Sequence, residues 1–349
     1  MRQRLAQWAV RGWDRRGTQA WLLWPLSLLY GLLTMLHRGV YALGLRRAAR
    51  LPVPVVVVGN VVAGGGGKTP VVLALATHLR ARGIRVGVVS RGYGRTLGAD
   101  DAPVEVTPDS DVHAVGDEPL LLARRGGVPV FVARRRAEAG RALLAAYPQT
   151  QVLLSDDGLQ HHALQRDLTV CVFDARGVGN SLLLPAGPLR ERGSSATWVL
   201  QSDELTQAAR LAVAREVYAV QGRYDMHRTL AHDAVRADDS RIPLTALAAQ
   251  GPVVAVAGIA RPDGFFHMLR ALGLTLAHTQ ALPDHYDFKS YESPYDRGYP
   301  LICTEKDALK LWRHRPDAWA VPLVFEPDPD FLASFDSRLD ARLSSDHRH

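Results

Sequence analysis

The chain has 349 residues, 47% of them hydrophobic and 22% charged. These are ordinary globular values; they exclude a disordered or fibrous chain and leave room for one large α/β domain or two domains. The net charge of +7 belongs to one end: residues 1–50 hold nine arginines against Asp14 alone, so 33 of the 42 basic and 34 of the 35 acidic residues fall in the rest of the chain. A neutral body argues against a nucleic-acid partner, because binding a phosphate backbone calls for a basic face.

Between Arg16 and Arg38 run 21 residues without a formal charge, GTQAWLLWPLSLLYGLLTMLH. The stretch is long enough to cross a bilayer, but both flanks are basic, which serves a positive-inside orientation poorly. The expectation is a membrane-interface helical arm over residues 1–50. Trp8, Trp13, Trp21, Trp24 and Tyr30 would sit at headgroup level, with the arginines on anionic lipid. A helical hairpin buried on the body is the other reading. The arginines ahead of the apolar run, with no small-residue cleavage site after it, argue against a secretory signal.

The organising stretch is Pro54 to Pro70, PVVVVGNVVAGGGGKTP, which reads as buried strand, glycine loop, helix. Backbone N–H groups can converge on phosphate oxygens only where side chains leave room, which Gly64, Gly65, Gly66 and Gly67 provide. Val62 and Ala63 open this loop. Val62 stands where the usual phosphate-loop spacing has glycine, and Ala63 where some ATPases place an early lysine. Lys68 would neutralise the β/γ-phosphates of ATP, and the Thr69 hydroxyl would sit on Mg²⁺.

The helical run that follows ends at Gly83. Val86 to Val89 then form a short strand, and SRGYGR lies at its carboxyl end, where ligands bind in open α/β sheets. Arg91, Tyr93 and Arg95 are candidates for substrate contact there; a solvated turn is the other reading. Asp117 and Glu118 open the next helix. They serve either as cap and first-turn acid, or as the acceptor of a substrate hydroxyl proton (Asp117) and a Mg²⁺ ligand (Glu118). A strand over Val128 to Ala133 follows. TQVLLSDDGLQHHAL ends a further strand in Asp156 and Asp157, the place where phosphate-loop enzymes hold metal or metal-bound water. His161 and His162 are adjacent and make a poor zinc pair. Arg190, in the Pro-rich loop LLPAGPLRERG, could stabilise charge on a transferring phosphoryl group; a solvated charge run is the other reading. Cys171 and Cys303 lie in apolar runs and fit small core residues of a reduced, cytosolic protein.

Strands alternating with helices over residues 51–216 predict a phosphate-loop NTPase-like parallel sheet covered by helices. Two strand-like runs in 217–248, VYAVQGRY and DSRIPLTAL, predict an antiparallel β-ribbon between lobes, and 249–349 predicts a smaller α/β lobe without a phosphate loop of its own. In that lobe PDHYDF presents His285, which could tune Asp117 or share its proton across an interlobe cleft; a surface histidine is the other reading. TEKDA is not a guanine-reading signature, since Lys306 and Asp307 are adjacent.

Taken together, PLSLLYG, PVPVVVVGN, AGGGGKTP, SRGYGR, GDEP, SDDGLQH, LLPAGPLRE, AVAGIARPDGFF, PDHYDF and TEKDA occur in an order that resembles the tetraacyldisaccharide 4′-kinases, the lipid A 4′-kinases of Gram-negative bacteria. The resemblance covers residues 20 to 310. It implies transfer of the ATP γ-phosphoryl group to the 4′-hydroxyl of a tetraacyldisaccharide 1-phosphate, giving lipid IVA at the cytoplasmic face of the inner membrane. It also implies that Asp117 and His285 are a catalytic pair, that Lys68 and Thr69 belong to a Mg·ATP site, and that Asp156, Asp157 and Arg190 are active-site residues. Of the metal candidates, Thr69, Glu118 and Asp157 are the set the sequence favours. Tyr286 stands where the family often has a second histidine. A competing reading is a membrane-recruited phosphate-loop ATPase that acts as a switch on a protein partner.

Overall fold

Val55 to Val58 are apolar on both sides of the pleat, so the segment can only be a strand covered on both faces. It occupies the centre of the larger of two sheets. The computed structural model describes residues 12–93, 102–289, 291–292 and 298–346; Arg2, Arg4, Trp8, Arg11 and Arg95 lie outside them. The arm is a single helix, α1 (Thr18–Ala42). The larger lobe follows as β1 (Val55–Gly59), α2 (Lys68–Ala81), β2 (Val86–Ser90), β3 (Val104–Val106), α3 (Val112–Val115), α4 (Asp117–Gly126), β4 (Val130–Val132), α5 (Arg136–Ala146) and β5 (Val152–Asp156). It continues through β6 (Leu168–Phe173), β7 (Ser194–Ser195), β8 (Trp198–Ser202), α6 (Gln207–Glu216), β9 (Val217–Tyr218) and β10 (Gly222–Leu230). The smaller lobe holds β11 (Asp233–Val235), β12 (Arg241–Pro243), α7 (Leu244–Ala249), β13 (Val253–Ala257), α8 (Pro262–Ala271), β14 (Leu276–Ala281), β15 (Leu301–Thr304), α9 (Glu305–Leu311) and β16 (Trp319–Val321). Finally β17 (Leu323–Glu326) and α10 (Pro329–Asp346) return to the larger lobe.

The larger sheet has the order β17-β10-β8-β6-β1-β5-β2-β4-β3. Neighbours from β10 to β4 run parallel, and β17 and β3 pair antiparallel at the two edges. The smaller sheet, β12-β11-β16-β15-β13-β14, is parallel from β16 to β14. This is the α/β, phosphate-loop architecture with a second lobe that the sequence predicts. The ribbon between lobes is also present, but its pairing differs from the expectation. Strand β10 pairs with β17, His227 opposite Glu326, whereas residues 241–243 of the second predicted run pair with β11 inside the smaller lobe. Local patterning cannot reveal a partner almost 100 residues away.

The second difference is at the C-terminus. The sequence assigns everything after 249 to the smaller lobe, yet α10 packs on the larger one. Phe331, Phe335 and Leu339 recur at i, i+4 and i+8, so they share one helix face and enter the core between β8 and α2. The ring of Trp198 meets those of Phe331 and Phe335 at centroid distances of 6.0 and 5.5 Å. Helix α2 contributes Val71, Leu75 and Leu79 at the same spacing.

Helix α1 lies along the body and is tied to it by a polar stripe. Ser27 Oγ donates to Leu183 O at 2.9 Å and accepts from the Ala186 N–H at 2.9 Å; the Tyr30 hydroxyl donates to Arg190 O at 2.8 Å; Arg38 donates to Gly193 O at 2.8 Å. The opposite face exposes Trp21, Leu22, Leu29, Leu33 and Leu36. Contacts to the body at Ser27, Tyr30 and Arg38 run along the helix, so it lies against the body on one side and leaves an apolar side exposed, which is not a hairpin buried in the core.

Phe335→Ala removes a fully buried ring from the larger core and is expected to cost about 3–5 kcal/mol of unfolding free energy. Urea denaturation followed at Trp198 checks this; a loss under about 1 kcal/mol would show that α10 is not part of that core.

Candidate active site

The phosphate loop begins where β1 runs out at Gly59. Gly64 and Gly67 adopt φ of 92° and 78°, in the left-handed region open to glycine, and Gly67 caps α2 in that conformation. The loop is braced from one side by the Pro-rich segment: the Ala63 N–H donates to Pro188 O at 2.8 Å, and the Arg190 N–H donates to Val61 O at 2.7 Å. Lys68 Nζ reaches back to Asn60 Oδ1 at 3.4 Å and to Asp157 Oδ1 at 3.5 Å. The lysine is thus held over the loop at the positive end of α2, where anions bind.

Asp156 and Asp157, at the end of β5, have opposite environments. Burial, reinforced by the charge of Asp157, pushes the Asp156 carboxyl up to about 7, and its Oδ1 is buried without a partner. Burial alone would raise Asp157 as well. The cations Lys68 and Arg190 overcome it and bring that carboxyl down to about 2, with Arg190 Nη1 at 2.9 and 3.0 Å from the two oxygens. Arg136, itself buried, donates to the backbone oxygens of Asp156 (3.2 Å) and Asp157 (2.6 Å) and fixes the turn that separates the two side chains. Burial and the nearby Arg136 and Arg91 charges lower His161 to about 4, so it is neutral at pH 7. His162 faces away from this point, toward Glu191 and His37 of α1.

At the lobe boundary stands Asp117, the first residue of α4. Gly116 precedes it at φ 94°, and a Cβ there would fall 2.8 Å from Tyr93 O, so only glycine lets the helix start this close to the 90–93 loop. His285, also in the left-handed region at φ 62°, comes from the smaller lobe and places Nδ1 2.8 Å from Asp117 Oδ2. Lys310 Nζ contacts both carboxylate oxygens, at 2.8 and 2.9 Å. Burial would raise the Asp117 carboxyl, but its hydrogen bonds to His285 and Lys310, with the charges of Lys310 and Lys306, leave it below its ordinary value. Beside this group Lys306 donates to Glu118 at 2.9 Å, and Arg125 pairs with Glu305 at 3.0 Å.

A cleft of about 1190 Å³ collects these parts. Ala63, Gly64, Gly65, Gly66, Gly67, Lys68, Thr69, Arg91, Tyr93, Glu118, Asp156, Asp157, Arg190 and His285 line it, and so does Tyr30 from α1. Two residues expected at the site do not reach its wall. Val62 is 3% exposed and pairs with Leu189, and Asp117, 5% exposed, stands one hydrogen bond behind His285. The side chain that meets the cleft at the expected proton acceptor is therefore the histidine. Glu118, expected on Mg²⁺, is engaged by Lys306, and Asp157 by Arg190 and Lys68; the carboxylate with a free oxygen is Asp156. Among the described residues no three His, Cys, Asp or Glu side chains cluster to enclose a metal. That suits Mg²⁺, which keeps its waters and the phosphate oxygens and needs one or two protein ligands. Sequence reasoning missed Lys306, Lys310, Arg136 and Asn60. The one available signal was the spacing of Lys306 and Lys310, four residues apart and so on one helix face, as a match for adjacent acids elsewhere.

Known proteins share the sequence and the fold of this chain. A family model described as Tetraacyldisaccharide-1-P 4′-kinase matches residues 19–343. The tetraacyldisaccharide 4′-kinase of Acidovorax sp. (strain JS42) is 54% identical over 339 residues, covering 97% of this chain and 96% of that protein. The protein of the same name from Polaromonas naphthalenivorans (strain CJ2) is 51% identical over 353 residues and 99% of each chain. The crystal structure of LpxK from Aquifex aeolicus in complex with ATP matches with a TM-score of 0.75 at 26% identity, over 93% of this chain and 99% of that one. With its sequence matched almost end to end and its two-lobed fold shared, the chain belongs to the tetraacyldisaccharide-1-P 4′-kinase family.

Proposed function

We propose that the interlobe cleft carries out the reaction for which the family is named, transfer of the ATP γ-phosphoryl group to the 4′-hydroxyl of a tetraacyldisaccharide 1-phosphate, giving lipid IVA. The observation that carries this reading is that one cleft is lined by the phosphate loop, by His285 of the Asp117–His285 pair and by Tyr30 of the lipid-facing helix. Phosphoryl transfer asks for alignment and charge neutralisation more than for covalent help. The N–H groups of Gly64 to Gly67 and the start of α2 hold the phosphate tail, and Lys68 neutralises it. Arg190, fixed on Asp157, faces the charge that gathers on the transferring group. The 4′-hydroxyl proton passes to the Asp117–His285 pair: Nδ1 is anchored on Asp117, and the imidazole is the member exposed to the cleft. Arg91 and Tyr93, exposed at the rim, are placed to meet the sugar or its 1-phosphate.

Thr69 and Asp156 are the residues that would hold Mg²⁺, with Asp157 beside them; the ion would supply charge neutralisation on the phosphate tail. Helix α1 lies in the lipid interface on the cytoplasmic face of the inner membrane, where ATP is at hand and the arginines of the arm meet anionic headgroups. The family match does not favour the alternative of a nucleotide switch acting on a protein partner.

Label from γ-labelled ATP is expected to appear in the purified glycolipid when the protein, Mg²⁺ and disaccharide 1-phosphate are combined; no transfer would refute the assignment. Asp117→Ala and His285→Ala should each lower kcat by about 10²–10⁴ while leaving binding of an ATP analogue intact, and the double variant should fall little further. Full turnover in either single variant removes the pair from the mechanism. Because Asp156 takes a proton as pH falls through about 7, metal-nucleotide affinity should weaken below that pH, by up to about tenfold per unit. Calorimetry across pH 5.5–8.5 reads this, and Asp156→Asn should flatten the profile; a wild-type profile already flat over that range excludes Asp156 as a ligand. Leu29→Glu with Leu33→Glu should release the protein from anionic vesicles in a flotation assay, and undiminished flotation would disprove the interfacial role of α1.

A further inference from the structure

The guanidinium groups around the phosphate loop differ in one respect. Arg176 pairs with Asp174 at 2.8 Å and donates to Ala63 O (3.3 Å) and Gly65 O (3.1 Å), so it is a brace for the loop. Arg190 is held by Asp157, and Arg136 by two backbone oxygens. Arg228, half-buried on the cleft wall, has no hydrogen bond and no ion pair among the described residues. Asp174 and Glu204 offset part of its charge from farther away.

Its place on β10 makes the lack of a partner more telling. Side chains two apart on a strand share a face, and Arg228 stands between Met226 and Leu230, both buried. A cation on the inward face of a strand costs free energy unless something answers it. The side chain also leans over the loop: a Cβ built on Gly67 would lie 3.0 Å from Arg228 Nη1 and 3.3 Å from its Cδ. Glycine at 67 therefore leaves room for this guanidinium at the mouth of α2.

We propose that Arg228 is a nucleotide-phosphate ligand, its guanidinium supplied from the interlobe ribbon to the phosphate tail that lies over Gly67. The inference rests on the nucleotide occupying the loop and adds a contact that neither motif nor spacing marks. A guanidinium presents two parallel N–H donors to phosphate oxygens, which a lysine cannot reproduce in full. The charge that is uncompensated in the protein would be compensated by the ligand, and the ribbon would be drawn against the loop when the tail is present.

The test uses the full chain and calorimetric titration with Mg²⁺ and a non-hydrolysable ATP analogue, ADP or AMP, for the wild type, Arg228→Met, Arg228→Lys and Lys68→Ala. Arg228→Met should lose about tenfold or more in affinity for the triphosphate and less than about twofold for AMP, with Arg228→Lys in between. Its thermal midpoint should match or exceed that of the wild type, since methionine keeps the stem and removes a costly charge. An equal loss for all three nucleotides, or no loss, overturns the inference and leaves Arg228 as packing against Gly67. Loss with Lys68→Ala but none with Arg228→Met defeats this proposal alone; unchanged binding by Lys68→Ala defeats the nucleotide site as well.

Discussion

A carboxylate shut away from water between two lobes has to be answered from both sides, and Asp117 is that carboxylate. It belongs to the larger lobe, while His285 and Lys310, which hold it, belong to the smaller one. An uncompensated charge in such a place costs several kcal/mol, so the lobes meet here or the residue finds water. Lys306–Glu118 and Arg125–Glu305 extend the contact along α4 and α9 and make it a seam. The seam sets the height of the imidazole over the cleft, and with it the relation between the proton-accepting side and the phosphate-binding side.

The opposite wall is fixed by a different device. Residues 183–190 are gripped on one side by Ser27 and Tyr30 of α1 and on the other by backbone bonds to Val61 and Ala63. Arg190 continues the path through Asp157 to Lys68. A continuous set of contacts therefore runs from the helix with the exposed apolar face to the phosphate loop. A glycolipid acceptor and a polyphosphate donor differ in every physical property, and this segment is where the surfaces suited to each are joined.

Much of this was legible in the residues alone. The strand, the four-glycine loop and the helix opening at Lys68-Thr69 stand where the sequence places them, and so does a long apolar helix between arginines. What could not be read was pairing at long range. Whether Glu118 faces a metal or a lysine depends on Lys306, 188 residues away, and no local pattern encodes that meeting. For Asp117 the residues alone offered His285 as a partner but not Lys310, 193 residues away, which closes over it from the smaller lobe. Asp156 and Asp157 are neighbours of identical chemistry, separated only by a φ of 50° at the second, which turns one carboxylate toward cations and leaves the other without a partner. Arg228 gave no signal, since either arginine in a run such as GRYDMHRTL reads as a solvated strand residue.

The return of β17 and α10 to the larger lobe makes the smaller lobe an insertion within it. The core beside Trp198 is completed by Phe331, Phe335 and Leu339, which follow the inserted lobe in the chain. Without those two elements the phosphate-binding sheet would lack the edge strand β17 and the covering helix α10. The larger lobe is therefore whole only when the chain on both sides of the inserted lobe is in place, and a cut within that lobe would leave an apolar face open.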